Sequence, residues 1–150
     1  MDELPYFDKI IFSPGPGLPS EKVNFYALLD RYLGNKKMLG VCLGMQGIAE
    51  YLGAELYNME HVKHGVSEVI EVDPQSTLFK KSINKFNVGL YHSWAIKNLE
   101  KTNLKVTAWS VNNIVMAFEN CENGIYGVQF HPESILTENG KKIILNFLNA

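Results

Sequence analysis

Residues 37–53 read Lys-Met-Leu-Gly-Val-Cys-Leu-Gly-Met-Gln-Gly-Ile-Ala-Glu-Tyr-Leu-Gly, an apolar run that changes into a helical pattern at a cysteine. The run from Lys37 to Val41 predicts a buried strand. The apolar spacing after Cys42 predicts a helix that is closed by Gly53. A strand that enters a helix through Gly40-Val41-Cys42-Leu43-Gly44 has the form of a nucleophile elbow, with cysteine in the place of serine.

The flanking segments extend this alternation of strands and helices. Asp8 to Phe12 predicts a short buried strand that ends at Ser13-Pro14-Gly15-Pro16-Gly17. A helix is predicted from Ser20, its N-cap, to Gly34, with its apolar stripe at Val23, Tyr26, Leu29, Tyr32 and Leu33. Strand, helix, strand, helix is typical of a parallel α/β sheet with crossover connections.

The second half of the chain is richer in strands. The predicted strands are 66–72, 86–91, 94–96, 104–111, 114–119 and 125–129. Thr137 to Leu148 predicts a closing amphipathic helix. The expected fold is therefore α/β, with a mostly parallel central sheet, flanking helices and a small antiparallel sheet.

Composition narrows the class of protein. The chain has 150 residues, of which 46% are hydrophobic and 20% charged, and its net charge is −2. This composition predicts one globular domain. Its 14 basic residues are scattered, which argues against a nucleic-acid clamp. With no long apolar run and no secretory pattern in Met1 to Ile10, we expect a cytoplasmic protein without a membrane span.

Cys42 is a candidate nucleophile. The partial positive charge of a helix N-terminus favours thiolate over thiol. From this motif alone, a buried structural cysteine remains an equal alternative.

A cysteine nucleophile needs a base, and the base needs an orienting group. The chain has four histidines, and only His131 directly follows a convincing strand and is followed by a carboxylate, in His131-Pro132-Glu133. Glu133 can accept a hydrogen bond from one imidazole nitrogen while the other faces the thiol. Pro132 cannot continue a strand, so this segment should lie at a sheet end. Without Cys42, an ordinary surface turn would be the better interpretation.

The remaining candidates have structural interpretations. His61 and His64 have the spacing of a metal-ligand pair, but no third or fourth ligand accompanies them in the sequence. Cys121 lies in a polar turn and is interpreted as an incidental thiol. We therefore expect no metal site.

Three segments together resemble the signature segments of class I glutamine amidotransferases. They are residues 13–17 (SPGPG), 40–46 (GVCLGMQ) and 127–134 (GVQFHPES), in the family's order. The first segment, and the continuation of the last to Thr137, look most like the glutaminase subunit shared by anthranilate synthase and aminodeoxychorismate synthase. The resemblance runs from about Asp8 to the C-terminus and makes residues 1–150 one class I glutamine amidotransferase domain, with a flavodoxin-like fold.

The resemblance implies a catalytic triad and a glutamine site. Cys42 would attack the side-chain amide of L-glutamine and form a γ-glutamyl thioester, His131 would transfer protons, and Glu133 would orient His131. The resemblance assigns glutamine and oxyanion binding to Gly15, Pro16, Gly17, Leu43, Gln46, Ser93 and Trp94. It implies no cofactor. The partner would be a chorismate-using synthase subunit that receives the ammonia.

The sequence departs from the family pattern at two places. Met45 stands where the family commonly has histidine, which we interpret as a tolerated packing change. Only twelve residues precede Ser13, whereas family members usually have a strand and helix of some forty residues there. We therefore expect that a strand and helix are missing before Met1-Asp2-Glu3, and that the short chain is less stable or less active by itself.

Two other functional classes stay open. The first is a glutaminase domain of another synthetase, or a cysteine hydrolase that acts on a γ-glutamyl substrate through the same triad. The second is a non-catalytic subunit that only binds and regulates a synthase. A glutaminase assay separates these alternatives.

Overall fold

The computed structural model describes residues 4–150, and the prediction made for Met1-Asp2-Glu3 lies outside them. The described chain alternates strands and helices in its first half and is mostly strands in its second half. The elements are β1 (Lys9–Phe12), α1 (Phe25–Tyr32), β2 (Lys37–Val41), α2 (Leu43–Tyr51), β3 (Glu55–Asn58), β4 (Val66–Val72), β5 (Lys85–Leu90), β6 (Trp94–Lys97), β7 (Lys105–Ser110), β8 (Val115–Asn120), β9 (Ile125–Val128) and α3 (Gly140–Leu148).

The main sheet has seven strands in the order β1-β2-β9-β8-β7-β4-β5. β1, β2 and β9 are parallel, with Phe12 opposite Gly40 and Val41 opposite Val128. The other neighbouring strands are antiparallel. Since the three parallel strands end level with one another, the segments that follow Phe12, Val41 and Val128 meet at one edge of the sheet. Those segments are the three signature segments.

A small antiparallel sheet pairs β3 with β6. The predicted α/β class with a small antiparallel sheet is confirmed, and the main sheet is mixed, with its parallel part around the cysteine. β3 was missing from the sequence prediction. Its residues Glu55–Asn58 are half-buried or exposed throughout, so they show neither an apolar run nor a clean alternation.

The first helix begins later than the sequence predicted. Pro19–Glu21 forms a 3₁₀ turn, Asn24 has a left-handed φ of 65°, and the α-helix starts at Phe25. Val23, which was assigned to the apolar stripe, is 88% exposed. That assignment was wrong because the backbone at Asn24 interrupts the helical repeat, whereas Leu29 and Tyr32 are buried as predicted.

Two apolar clusters cover the two faces of the main sheet. Met38 and Leu39 are neighbours on β2 and therefore point to opposite faces. Met38 belongs to the cluster that contains Leu29 of α1 and Ile48 of α2. Leu39 belongs to the cluster that contains Phe147 of α3. Within residues 4–150, no helix has the length and apolar character that crossing a bilayer requires.

Candidate active site

Cys42 lies in a sharp turn between β2 and α2. Its φ of 52° and ψ of −105° lie outside the regions that L-residues normally occupy. A Cβ on Gly40 would lie 2.4 Å from backbone atoms of Gly44 and Met45, and one on Gly44 would lie 2.3 Å from the carbonyl oxygen of Phe12. Glycine at both positions lets the backbone fold tightly enough to form the elbow.

The Cys42 thiol is buried, with 6% of the residue exposed. Burial raises its pKa to about 11, and the nearby charge of Glu133 adds to this increase in pKa. Hydrogen bonds from the Leu43 backbone N–H and the Gln129 side chain oppose the increase in pKa. The start of α2 thus favours the thiolate as expected, through the Leu43 backbone N–H, but the pKa stays raised because the cost of burying the anion is larger.

A cavity of about 120 Å³ opens on Cys42. Its walls come from the Pro-Gly-Pro-Gly loop, the start of α2 and the segment before β6. The lining residues are Gly15, Pro16, Gly17, Cys42, Leu43, Gln46, Tyr91, His92, Ser93 and Trp94. All seven residues predicted to bind glutamine or the oxyanion thus surround one cavity together with the candidate nucleophile.

The Pro-Gly-Pro-Gly loop is fixed by local contacts. Gly17 has a left-handed φ of 77°, and a Cβ there would lie 2.1 Å from Oε2 of Glu21. That same carboxylate accepts a hydrogen bond from the Leu18 backbone N–H at 3.0 Å. A Cβ on Gly15 would lie 3.6 Å from the Leu43 side chain, an ordinary contact distance. The loop therefore presents its backbone to the cavity in one defined shape.

Gln46 connects two walls of the cavity. Its Nε2 donates to the Trp94 carbonyl oxygen at 2.9 Å and to Oε1 of Gln129 at 3.0 Å. Both hydrogens of this nitrogen are thus engaged, which leaves the Gln46 oxygen as its group for a ligand. Gln129 was not predicted as a site residue. One feature of the sequence could have indicated it, namely that its amide side chain interrupts the apolar run Gly127 to Phe130.

His131 and Glu133 form a close pair beside the cavity. Nδ1 of His131 lies 2.7 Å from Oε1 of Glu133. Nε2 of His131 is buried and has no hydrogen-bond partner within residues 4–150. The His131 ring packs edge-on against the Tyr91 ring with centroids 4.8 Å apart, and Tyr91 in turn lines the cavity. The imidazole is therefore held by the hydrogen bond with Glu133 and by the ring contact with Tyr91.

A known protein family matches the chain over almost its whole length. The family model for class-I glutamine amidotransferases matches residues 2–150. The chain belongs to the class I glutamine amidotransferase family. The family assignment and enzyme class predicted from the three segments are confirmed.

Relatives of this class I amidotransferase include two kinds of named protein. Anthranilate synthase component 2 of Methanocaldococcus jannaschii is 40% identical over 152 residues, which cover 95% of this chain and 75% of the relative. Aminodeoxychorismate synthase of Streptomyces griseus is 38% identical over 146 residues, which cover 96% of this chain and 20% of the relative.

Among solved structures, a Thermoplasma acidophilum protein provisionally described as a GMP synthase subunit superposes with a TM-score of 0.87. The alignment is 28% identical and covers 99% of this chain and 74% of that one. The amidotransferase fold therefore extends over the described chain.

The other residues weighed in the sequence have ordinary surroundings in this amidotransferase. Met45 is fully buried in the apolar cluster with Ile48, so the departure from histidine places an apolar side chain in the core. His64 packs edge-on against Tyr91. Cys121 is exposed, 3.4 Å from the Thr77 hydroxyl. No three His, Cys, Asp or Glu residues in the described part of the chain form a possible metal site.

Proposed function

We propose that this domain, residues 1–150, hydrolyses L-glutamine with Cys42 as nucleophile and His131 and Glu133 as the other members of a triad. The observation that carries the proposal is the cavity. It joins the strained cysteine to the glycine loop, to Gln46 and to the Ser93–Trp94 backbone. Its small volume suits a single amino acid.

The proposed reaction begins when His131 takes the thiol proton and the Cys42 sulfur attacks the side-chain amide carbon of glutamine. The tetrahedral oxyanion is stabilised by backbone N–H groups, for which Leu43 and the glycine loop are the candidates. The carbon–nitrogen bond breaks, and His131 protonates the leaving ammonia. Water then attacks the γ-glutamyl thioester, which releases glutamate and restores the thiol.

In this proposal, the substrate head group lies against the Gln46 side of the cavity. The Gln46 oxygen is an acceptor and suits the α-ammonium group of an amino acid. His92 also lines the cavity, and its Nδ1 lies 2.8 Å from the Trp94 carbonyl oxygen. Burial lowers the pKa of His92, which favours the neutral ring. The neutral ring adds no positive charge to compete with the substrate's own.

We also propose that the ammonia passes to a chorismate-using synthase subunit. This finer assignment rests on the relatives named anthranilate synthase component 2 and aminodeoxychorismate synthase, which are 38% to 40% identical to this chain. The acceptor chemistry belongs to the partner, so the glutaminase alone does not select anthranilate or aminodeoxychorismate as product. A cytoplasmic location belongs to the same proposal.

The test of the nucleophile compares glutamine with ammonia as nitrogen source. Cys42→Ser should abolish glutamine hydrolysis and glutamine-dependent amination, while the synthase partner should still use added ammonium. Cys121→Ser is the matched control and should keep both activities. Full glutamine-dependent activity in Cys42→Ser would refute the assignment, and activity on γ-glutamyl peptides without activity on free glutamine would favour another cysteine hydrolase.

The test of the partner is co-purification with each of the two synthase subunits, followed by identification of the aromatic product. We expect one or both synthases to bind and to stimulate glutamine hydrolysis. Strong hydrolysis that neither synthase alters would contradict the proposed assembly.

A further inference from the structure

Gln129 is a fully buried amide directly after β9. Its backbone N–H donates to the Met116 carbonyl oxygen at 2.8 Å, so its main chain is fixed to the neighbouring strand β8. A polar side chain buried this completely is costly unless its hydrogen bonds are made. The hydrogen-bond partners of the Gln129 side chain therefore explain why a polar residue lies in an apolar segment.

The amide bridges the candidate nucleophile and a cavity residue. Its Nε2 lies 3.6 Å from the sulfur of Cys42, within reach for a hydrogen bond to sulfur. Its Oε1 accepts from Nε2 of Gln46 at 3.0 Å.

The orientation of both amides follows from one carbonyl. The Trp94 oxygen can only accept, so the Gln46 atom 2.9 Å from it is the nitrogen. That same nitrogen donates to Gln129, which must therefore present its oxygen to Gln46. The Gln129 nitrogen is then left to face the Cys42 sulfur.

The charges around the sulfur make this donor important. Burial and the charge of Glu133 both work against a thiolate, and the Gln129 donor and the Leu43 N–H work for it. Other titratable groups near the sulfur are Tyr91 and His92, which line the cavity, and His131, which packs against Tyr91. Glu21 and Lys22 lie beside the glycine loop. Gln129 supplies an uncharged side-chain donor to the sulfur.

We propose that Gln129 is a further catalytic residue, whose Nε2–H stabilises the anionic sulfur of Cys42 and whose orientation is held by Gln46. The nucleophile is thereby coupled to the part of the cavity that takes the substrate head group. The proposal rests on the proposed function in two respects, the use of Cys42 as nucleophile and the binding of the substrate head group beside Gln46.

The test measures the rate at which iodoacetamide alkylates Cys42 over the neutral to alkaline range, without substrate. All variants carry Cys121→Ser, so that Cys42 is the one remaining thiol of the two in the chain. Gln129→Met removes the donor without adding charge. Gln129→Glu keeps an acceptor oxygen but replaces the donor with a carboxylate, whose negative charge also works against the thiolate. A lost hydrogen bond to a charged group corresponds to a fall of roughly tenfold or more in the thiolate fraction below the pKa.

We expect the alkylation rate to fall by that factor in Gln129→Met and by more in Gln129→Glu, and the profile to move to higher pH in both. We also expect kcat for glutamine to fall by a larger factor than KM rises. Ser76→Ala is the control for a buried polar substitution, since its hydroxyl is buried outside the cavity and has no hydrogen-bond partner within residues 4–150. Circular dichroism and melting curves establish that each variant is folded. An unchanged alkylation profile in folded Gln129→Met would overturn the proposal.

If neither Gln129 variant folds, Gln46→Met tests the same bridge from its other end. Removing the Gln46 donor frees the Gln129 amide to rotate, and the alkylation rate should fall severalfold; an unchanged rate would overturn the coupling. The alkylation comparison does not depend on the substrate. Failure of the wild-type protein to hydrolyse glutamine would therefore refute the proposed function without deciding the role of Gln129.

Discussion

Nδ1 of His131 lies 2.7 Å from Oε1 of Glu133, its neighbour but one in the chain. Pro132 between them is buried, while 59% of the Glu133 side chain is exposed. The pair is thus made by a local turn at the end of β9, with the carboxylate at the surface and the imidazole further inside. In the proposed triad, the more buried His131 transfers protons and the more exposed Glu133 orients it.

We predict unequal losses when the two side chains are changed. His131→Asn should lower the rate of glutamine hydrolysis by about 10² to 10⁴, the usual contribution of general acid–base catalysis. Glu133→Gln should cost less, because an exposed carboxylate is screened by water and glutamine can still hydrogen-bond to Nδ1. Steady-state kinetics of both variants provide the measurement, and losses of reversed size would contradict the roles.

We predict that Tyr91 supports catalysis through its aromatic ring and not through its hydroxyl group. Tyr91→Leu removes the aromatic contact with His131 and should lower kcat roughly threefold to tenfold, which corresponds to the usual energy of such a contact. Tyr91→Phe keeps the ring and loses only the contact between its hydroxyl and the Ser134 hydroxyl at 3.2 Å. We expect near wild-type kcat for Tyr91→Phe, and equal losses in the two variants would show that the hydroxyl is the important group.

The thiol should affect stability at alkaline pH. Burial raises the pKa of Cys42 from an ordinary value of 9.0 to about 11, so the folded protein holds this proton more tightly than the unfolded chain. The Cys42 thiol therefore contributes its full stabilisation below pH 9 and loses it as the pH rises to about 11. The free energy of unfolding changes by about 2 to 3 kcal/mol over this interval.

Urea unfolding at several pH values measures this effect. Cys42→Ser should show a shallower loss of unfolding free energy in the same alkaline interval than wild type. Cys121→Ser, which removes the exposed thiol and leaves Cys42 in place, is the matched control. Parallel curves for wild type and Cys42→Ser would contradict the burial of the thiol.

Gly44 should not tolerate a methyl group. A Cβ there would lie 2.3 Å from the Phe12 carbonyl oxygen and 2.7 Å from the Phe12 Cβ, so α2 would have to move away from β1. Overpacking of this kind costs about 1 to 3 kcal/mol, which lowers the melting temperature of a domain of this size by several degrees. Gly15→Ala is the matched control, since its nearest contact would be an ordinary 3.6 Å and its melting temperature should not change.

The elbow and its glycines could be predicted from sequence because their constraints are local. A strand that passes into a helix at Cys42 needs backbone close to backbone, and only glycine at positions 40 and 44 allows that approach. The turn His131-Pro132-Glu133 is local in the same sense. The predicted strand at 66–72 matches β4 for a similar reason, because its alternation is visible within seven residues.

Other features depend on residues far apart in the chain. β3 was not predicted because its partner β6 begins 36 residues after β3 ends, and pairing with it gives Glu55–Asn58 its extended form. The raised pKa of the Cys42 thiol was not predicted because neither the depth of burial nor the charge of Glu133 is visible in a five-residue motif.

The amino-acid sequence was enough to single out the candidate triad and the glycines of the elbow, since reactive side chains and glycines stand out one by one along short segments. How those residues are coupled depends on the folded chain. Gln129 lies 87 residues from Cys42 in the chain, and the parallel pairing of β2 with β9 brings its amide to the sulfur. Hydrogen bonds and desolvation act over a few ångströms in space, and sequence separation does not set that distance.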